Sequence, residues 1–455
     1  MTSERDGGAD GHRGSRKVLI VSPRFPPTNA PDMQRIRIAL AHLRRFGWEP
    51  TILCVDSASA GGPIDPDLAA TLPKDVPIVR VRAWSERSCR RFGFGELGYR
   101  AVVPLYCAGS ALLAHERYDL VFFSTTVFLT FAFGPPWKRR HGCAVVYDFQ
   151  DPWYTDAPLY GPTTVPGRWW KYRVGRWLAR RLERFSLGAA DRIVVVSDAY
   201  VRDLVRRYPA LARDRFTVLP FGGERQDYVV ARARGRHGSL LAPEPGAVDW
   251  VYAGRAGPDM APVLRALFDG IAELATGNPA FAARLRLHFI GTNYAPPERA
   301  AKLVEPIARA ARVDGMVREI AARQPYFDAI AALEASHALL MIGSIHGDYN
   351  ASKLVPYLLS RKPILALFHR ESLTARLAAP FPNVFLATFE RDPGEPAFRA
   401  RLAEGLEWLR APPAFDGAEI ERLLEPWTAE ASAQKLCAVF DFAAEDARAE
   451  RGPRR

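Results

Sequence analysis

Cysteine is scarce: five residues in 455 (Cys54, Cys89, Cys107, Cys143 and Cys437), widely spaced and without a CxxC pair. That excludes a disulfide framework and a thiolate zinc site, and it points to a reducing, cytoplasmic setting. A secretory leader is missing as well, because residues 1–16 are polar and Gly-rich with no apolar stretch; they predict a disordered tail. Long apolar runs are few. Ala101–Ala114 is too short to span a bilayer, and the uncharged run Leu120–Trp137 is cut by Ser124, Thr125, Thr126 and Thr130 before Gly134-Pro135-Pro136. The second run therefore reads as strand, turn and short helix. HExxH, P-loop, GxSxG and DxD patterns are absent from persuasive places, so no metal and no cofactor are expected.

What the chain does have is ordinary globular composition, with 48% hydrophobic and 25% charged residues, at a length that suits two or three domains. Sixty-two Lys and Arg against 50 Asp and Glu leave a charge of +12. Such a surface draws anions, whether nucleic acid, acidic lipid headgroups or a phosphorylated substrate. No nucleic-acid module accompanies it, and no nucleic-acid partner is expected.

Short β-branched runs alternate with helical patterns from Lys17–Ser22 through Pro50–Val55, Ile78–Val81, Leu120–Ser124, Ala144–Asp148 and Arg192–Ser197 to Phe216–Phe221. Strand, loop, helix, strand is a βαβ unit, and the series predicts a mostly parallel sheet. Residues 223–247 lose the periodicity and read as a linker or mobile loop. A second series follows, with strands expected at Asp249–Gly254, Leu285–Gly291, Ala338–Gly343, Pro363–Leu367 and Asn383–Leu386. The predicted division is a tail (1–16), a first Rossmann-like domain (17–222), the linker (223–247), a second Rossmann-like domain (248–426) and a final helix (427–445), with Glu445–Arg455 frayed.

VLIVSPRFPP with Arg35 behind it, VVYDFQDPW, ADRIVVVSDAY, TVLPFGGE, WVYAGR, LHFIGT and DYNASKLVPYLLSRKPILAL, in this order, span nearly the whole chain. Together they resemble the GT-B-fold glycosyltransferases, specifically the family-4-like group of retaining, nucleotide-sugar-dependent enzymes. The resemblance implies an α/β protein with two Rossmann-like domains facing across a cleft, a first domain for the acceptor, a second for the donor, and a last helix crossing back to the first. It also implies transfer of a sugar from a nucleotide-sugar donor to a glycan or lipid-linked acceptor, as in polysaccharide biosynthesis, with the nucleotide sugar as co-substrate and with retention. Two rivals stand beside it, a nucleotide-sugar epimerase of the same fold and a catalytically inactive glycan-binding protein.

Independently of the name, a strand ending at Gly343 delivers Ser344, His346, Asp348, Tyr349 and Asn350 to the sheet's carboxyl edge, ahead of a helix expected to begin near Ala351 or Ser352. Ser352 is read as a cap or a phosphate ligand. Lys353 in a first turn opposes the helix dipole unless an anion is bound, the alternative being a solvated lysine. By resemblance, the family's two glutamates fall on Asp348 and Pro356, and its arginine and lysine fall on Arg255, next to Gly254, and Met260. Lys353 is then the second cation expected on the diphosphate beside Arg255, with Asp348 at the donor sugar. On the acceptor side, Pro27 lies in a loop where relatives carry paired glycines, Arg35 reaches from the next helix, and Asp148 and Asp151 resemble a strand-end acidic pair. That pair reads equally as a loop held by aspartate hydrogen bonds.

Gly167–Phe185 carries seven Arg and Lys against one Glu, with Trp170, Val174, Trp177, Leu178, Leu182 and Phe185 along one helical face. Packing of that stripe against the first domain is the preferred reading; Arg168, Arg173, Arg176, Arg180 and Arg184 would then face lipid phosphates or a phosphorylated acceptor. An anionic membrane surface, at the inner face, is thus a candidate partner.

Overall fold

The computed structural model describes residues 15–154, 169–235, 240–241, 244–295 and 297–451, so the predicted tail, apart from Ser15 and Arg16, lies outside the described residues. Arg16 itself begins a strand.

Seven strands, β1 (Arg16–Val21), β2 (Trp48–Val55), β3 (Ile78–Val81), β4 (Leu120–Ser124), β5 (Ala144–Phe149), β6 (Arg192–Val195) and β7 (Phe216–Val218), form one sheet in the order β3-β2-β1-β4-β5-β6-β7. A second sheet holds six, β8 (Val248–Ala253), β9 (Leu285–Ile290), β10 (Val317–Ile320), β11 (Ala338–Ile342), β12 (Ile364–His369) and β13 (Val384–Phe389), in the order β10-β9-β8-β11-β12-β13. All pairings are parallel. The central strands are near-continuous buried apolar runs because helices cover both faces. In each sheet the order reverses at one point, between β1 and β4 and between β8 and β11, and the loops leaving those strands open the crevice in which α/β sheets bind ligands.

The last helix runs Ala429–Arg451 and lies on the first domain. Trp48 Nε1 donates to Asp441 at 2.8 Å, and Phe440 packs edge-on against Trp48 and Phe122. Arg448 reaches Asp119 and Lys138 reaches Glu450. These contacts carry the helix past Glu445, where the sequence predicted fraying.

Two other expectations are corrected. The 223–247 segment contains a helix, Arg225–Ala233, packed on helix Tyr326–Ala335 of the second domain. The basic Trp-rich helix runs Trp169–Leu187, and its apolar residues divide: Val174, Trp177 and Phe185 stand exposed, Leu178 and Leu182 are half-buried, and Leu187 is buried with Glu183 and Ser186. Trp170 and Arg168 lie outside the residues whose side chains are described. Helix Leu97–His115 is longer than the sequence run suggested, 19 residues with a mean hydropathy of 1.3 in its best window, and by length and composition alone it is able to cross a membrane. Here Leu97, Ala101, Leu105 and Leu113 pack into the core beneath the first sheet.

The domains meet through charge as well as apolar contact. Arg37, on helix Gln34–Ala39, makes a bidentate pair with Asp227 at 2.8 and 2.6 Å, and Tyr326 Oη donates to Asp227 at 2.8 Å. Burial alone would lower the Arg37 guanidinium, but the Asp227 charge outweighs it, so its pKa is raised. Asp227→Ala is expected to cost about 3–5 kcal/mol in chemical denaturation, because it leaves Arg37 buried and unpaired.

Candidate functional site

The cleft between the two switch points encloses about 1270 Å³, counted out to its open mouth. Its floor is the turn after β8. Gly254 has φ +149°, a conformation that residues with side chains rarely adopt, and a Cβ there would come within 2.2 Å of Lys353 Nζ, so a side chain would push the lysine from its place. Lys353 N-caps the short helix Leu354–Leu359, which starts later than expected and carries no side-chain cap; Ser352 is exposed in the cleft rather than capping.

Lys353 donates to Tyr252 Oη at 2.6 Å and lies over that ring. No carboxylate faces it among the described residues. Burial first, and then the Arg255 charge, hold its ammonium well below the usual lysine range. Arg255 is engaged differently: it forms a bidentate pair with Asp259 at 2.9 and 2.7 Å and stands over Tyr349. Burial raises Asp259, but Arg255 outweighs it and holds the carboxyl below its ordinary value. Arginines often pair at loop edges in this way, and Asp259 is the partner that the sequence alone did not name. Met260, in the place where the resemblance puts a lysine, is fully buried in the second domain's core.

A different cation takes part. Arg323, in the turn after β10, lines the cleft; it donates to Asn29 Oδ1 at 3.1 and 2.8 Å and stands over Tyr294. Burial lowers its guanidinium, partly offset by Tyr294 and Asp32. Sequence reasoning missed Arg323 because β10 is four residues with charged Arg318 and Glu319 in the middle, too short and polar to register as a strand.

The other predicted residues divide. Tyr349 lines the cleft, and Ser344 is buried with its hydroxyl accepting from His346 N. His346 and Asp348 are exposed on the loop, and Asn350 donates to the Asp348 carbonyl. Pro356 lines the cleft, its carbonyl accepting from Tyr228 Oη. On the first domain, Pro27 lies outside the cleft lining and its carbonyl accepts from Asp65 N. Arg35 and Asp148 form a buried pair at 2.9 Å, and Asp148 Oδ2 also accepts from Ser124 and Gln150. Arg35 donates to the Leu219 carbonyl. Asp148 is therefore spent on holding β4, β5 and Arg35 together, which corrects its expected place at an acceptor hydroxyl. Asp151 remains available: it opens to solvent, yet the surrounding protein, then Asp32, push its carboxyl up to about 6 against Arg255. Burial first, then the Asp151 and Asp348 charges, raise the phenol of Tyr200, a residue that the sequence did not single out.

Among the described residues no cluster of His, Cys, Asp and Glu suits a metal ion.

Residues 34–222 match the model of the glycosyl transferase 4-like domain. No curated protein matches by sequence. The chain is similar in structure to a UDP-forming α,α-trehalose-phosphate synthase from Burkholderia xenovorans (TM-score 0.60, 12% identity, 94% of this chain and 99% of that one). It is also similar to a glycosyltransferase from Rickettsia africae (0.59, 11%, 95% and 99%) and to Anabaena HepE in complex with UDP and glucose (0.53, 14%, 96% and 100%).

A dianion placed against Lys353 would raise its lowered pKa, so binding should take up a proton. Calorimetry of a nucleoside diphosphate in buffers of different ionisation enthalpy should show that uptake, with affinity falling as pH rises above the free lysine's pKa. Lys353→Met should abolish both.

Proposed function

Starting from a GT-B fold whose first domain matches the glycosyl transferase 4-like model, we propose that this chain is a glycosyltransferase that takes a sugar from a nucleotide-sugar donor. The observation that carries the reading is Lys353, a lysine set in the cleft beside a glycine, where a side chain would displace it, and facing no carboxylate among the described residues. A donor diphosphate gains charge as its glycosidic bond breaks, and preorganised cations stabilise that gain without reorganising. Lys353 and Arg323 hold the diphosphate, with Arg255 beside them, its geometry fixed by Asp259. Support for a nucleotide sugar comes from the UDP and glucose held by the similar Anabaena protein.

On the acceptor side Asp151 orients the attacking hydroxyl, with Asp348, exposed on the loop after β11, at the donor sugar. A hexosyl donor, retention of anomeric configuration and a glycan or lipid-linked acceptor of a polysaccharide pathway follow from the family-4-like pattern of the donor segment. A nucleotide-sugar donor sets the reaction in the cytoplasm, with a lipid-linked acceptor at the inner membrane face.

A panel of nucleotide sugars, read by nucleoside diphosphate release with and without acceptor, tests the reading; no release from any donor would leave a glycan-binding protein. Lys353→Ala and Arg323→Ala should each lower kcat/KM by about ten- to a hundredfold, the value of one charge-assisted hydrogen bond, mostly in kcat. Asp348→Asn should leave nucleoside diphosphate affinity nearly unchanged. Because Asp151 is ionised above about pH 6, acceptor-dependent kcat/KM should rise through that pH, and Asp151→Asn should remove the rise.

A further inference from the structure

Among the described residues twelve large hydrophobic side chains stand exposed, and eight of them (Trp84, Phe92, Phe94, Val103, Tyr106, Val174, Trp177 and Phe185) come from two stretches of the first domain. One surrounds helix Leu97–His115; the other is helix Trp169–Leu187. Both helices lie on the same face of the seven-stranded sheet: Leu97, Ala101 and Leu105 share one core cluster with Leu187, and both helices border the turn Phe128–Phe133. The exposed apolar surface is thus one layer of one domain.

Helix Trp169–Leu187 packs Leu187 into the core yet leaves a large part of its apolar surface in solvent. Its inner side carries Glu183, which accepts from Arg207 at 2.6 Å and Tyr208 at 3.0 Å, and Ser186. Its outer side carries Val174, Trp177 and Phe185, 54%, 59% and 52% exposed. Arg180, Arg181 and Arg184 interleave with them, and these three make no ion pair among the described residues; Arg181 lies over Trp177. They rim a groove that also holds Arg207, Tyr208 and Arg215. An apolar stripe turned to water costs free energy unless something covers it, and arginines set into the stripe without carboxylate partners favour an anionic cover. Aromatic and arginine side chains at one level match the boundary between acyl chains and phosphate headgroups.

We propose that this face docks on an anionic phospholipid bilayer, with Trp177 and Phe185 entering the interface and Arg180, Arg181 and Arg184 binding lipid phosphates. The docking rests on surface geometry and not on the donor cleft, so its test reads partition rather than turnover.

The full chain is sedimented with vesicles of phosphatidylglycerol and phosphatidylcholine, and with phosphatidylcholine alone, at low and high salt. The protein should bind only the anionic vesicles. The triple variant Arg180→Glu, Arg181→Glu, Arg184→Glu should lose at least about a hundredfold in partition, from roughly one kcal/mol per basic side chain at such a surface. The double variant Trp177→Ser, Phe185→Ser should lose the fraction that persists in high salt. Thermal melts confirm folding of each variant; should the triple fail to fold, quenching of tryptophan fluorescence by brominated lipid, abolished by Trp177→Phe, reads the same insertion. Equal binding to neutral vesicles, unchanged partition of either variant, or full displacement by inorganic phosphate or a short DNA duplex would overturn the proposal.

Discussion

The site depends on holding the carboxyl edges of two sheets face to face, and the interaction that fixes that relation on one side is the buried Arg37–Asp227 pair. Its two hydrogen bonds, with a third from Tyr326 Oη, tie helix Gln34–Ala39 of the first domain to the connecting helix and to the second domain. Neighbouring contacts act in the same place: Asn29 takes Arg323, Asp65 accepts from Tyr326 N, and Tyr228 donates to the Pro356 carbonyl. A buried charge pair has demanding geometry, and slippage would strand a charge in low dielectric, so it specifies one relative placement more sharply than an apolar contact.

With the edges so placed, the cleft shows a division of labour among cations. Arg35 and Arg255 have carboxylate partners, Asp148 and Asp259, and are held rigid. Lys353 and Arg323 have a phenol and an amide instead. Charges left without a counter-charge in a partly desolvated cleft are costly, and the cost is relieved when an anion binds. Met260, where the resemblance puts a lysine, is buried in the second domain's core, and Arg323, in the turn after β10, brings a cation to the cleft in addition to Lys353, the one expected from sequence.

Much of the fold was legible because buried parallel strands are short β-branched runs and their helices have the matching period. Leu120–Ser124, Ala338–Ile342 and Ile364–His369 illustrate this. The GT-B pattern expected from the ordered motifs is the fold observed. The reading failed where tertiary contacts override local signal. The helix Arg225–Ala233 sits in a segment of weak periodicity and is held by its packing on Tyr326–Ala335. Strand β10 is a charged edge strand. For helix Trp169–Leu187, periodicity identified an apolar face and could not say how much of it the domain covers, since the helix meets the first domain through Glu183 and Ser186 as well as Leu187.

The sequence by itself indicated two series of mostly parallel strands, all but β10 among them, and the segments that carry Arg255, Lys353, Asp151 and Asp348, because these follow from local hydrophobic period and from motifs read along the chain. Only the tertiary structure decided which of the charged residues neutralise each other. Arg35 and Asp148 are 113 positions apart, Arg323 and Asn29 are 294 apart, and Lys353 meets Tyr252 across 101. Arg323 meets Asn29 because of how the two sheets face one another, whereas Arg35 with Asp148 and Lys353 with Tyr252 meet inside one domain through the way its loops and helices pack on the sheet, and no local pattern encodes either relation.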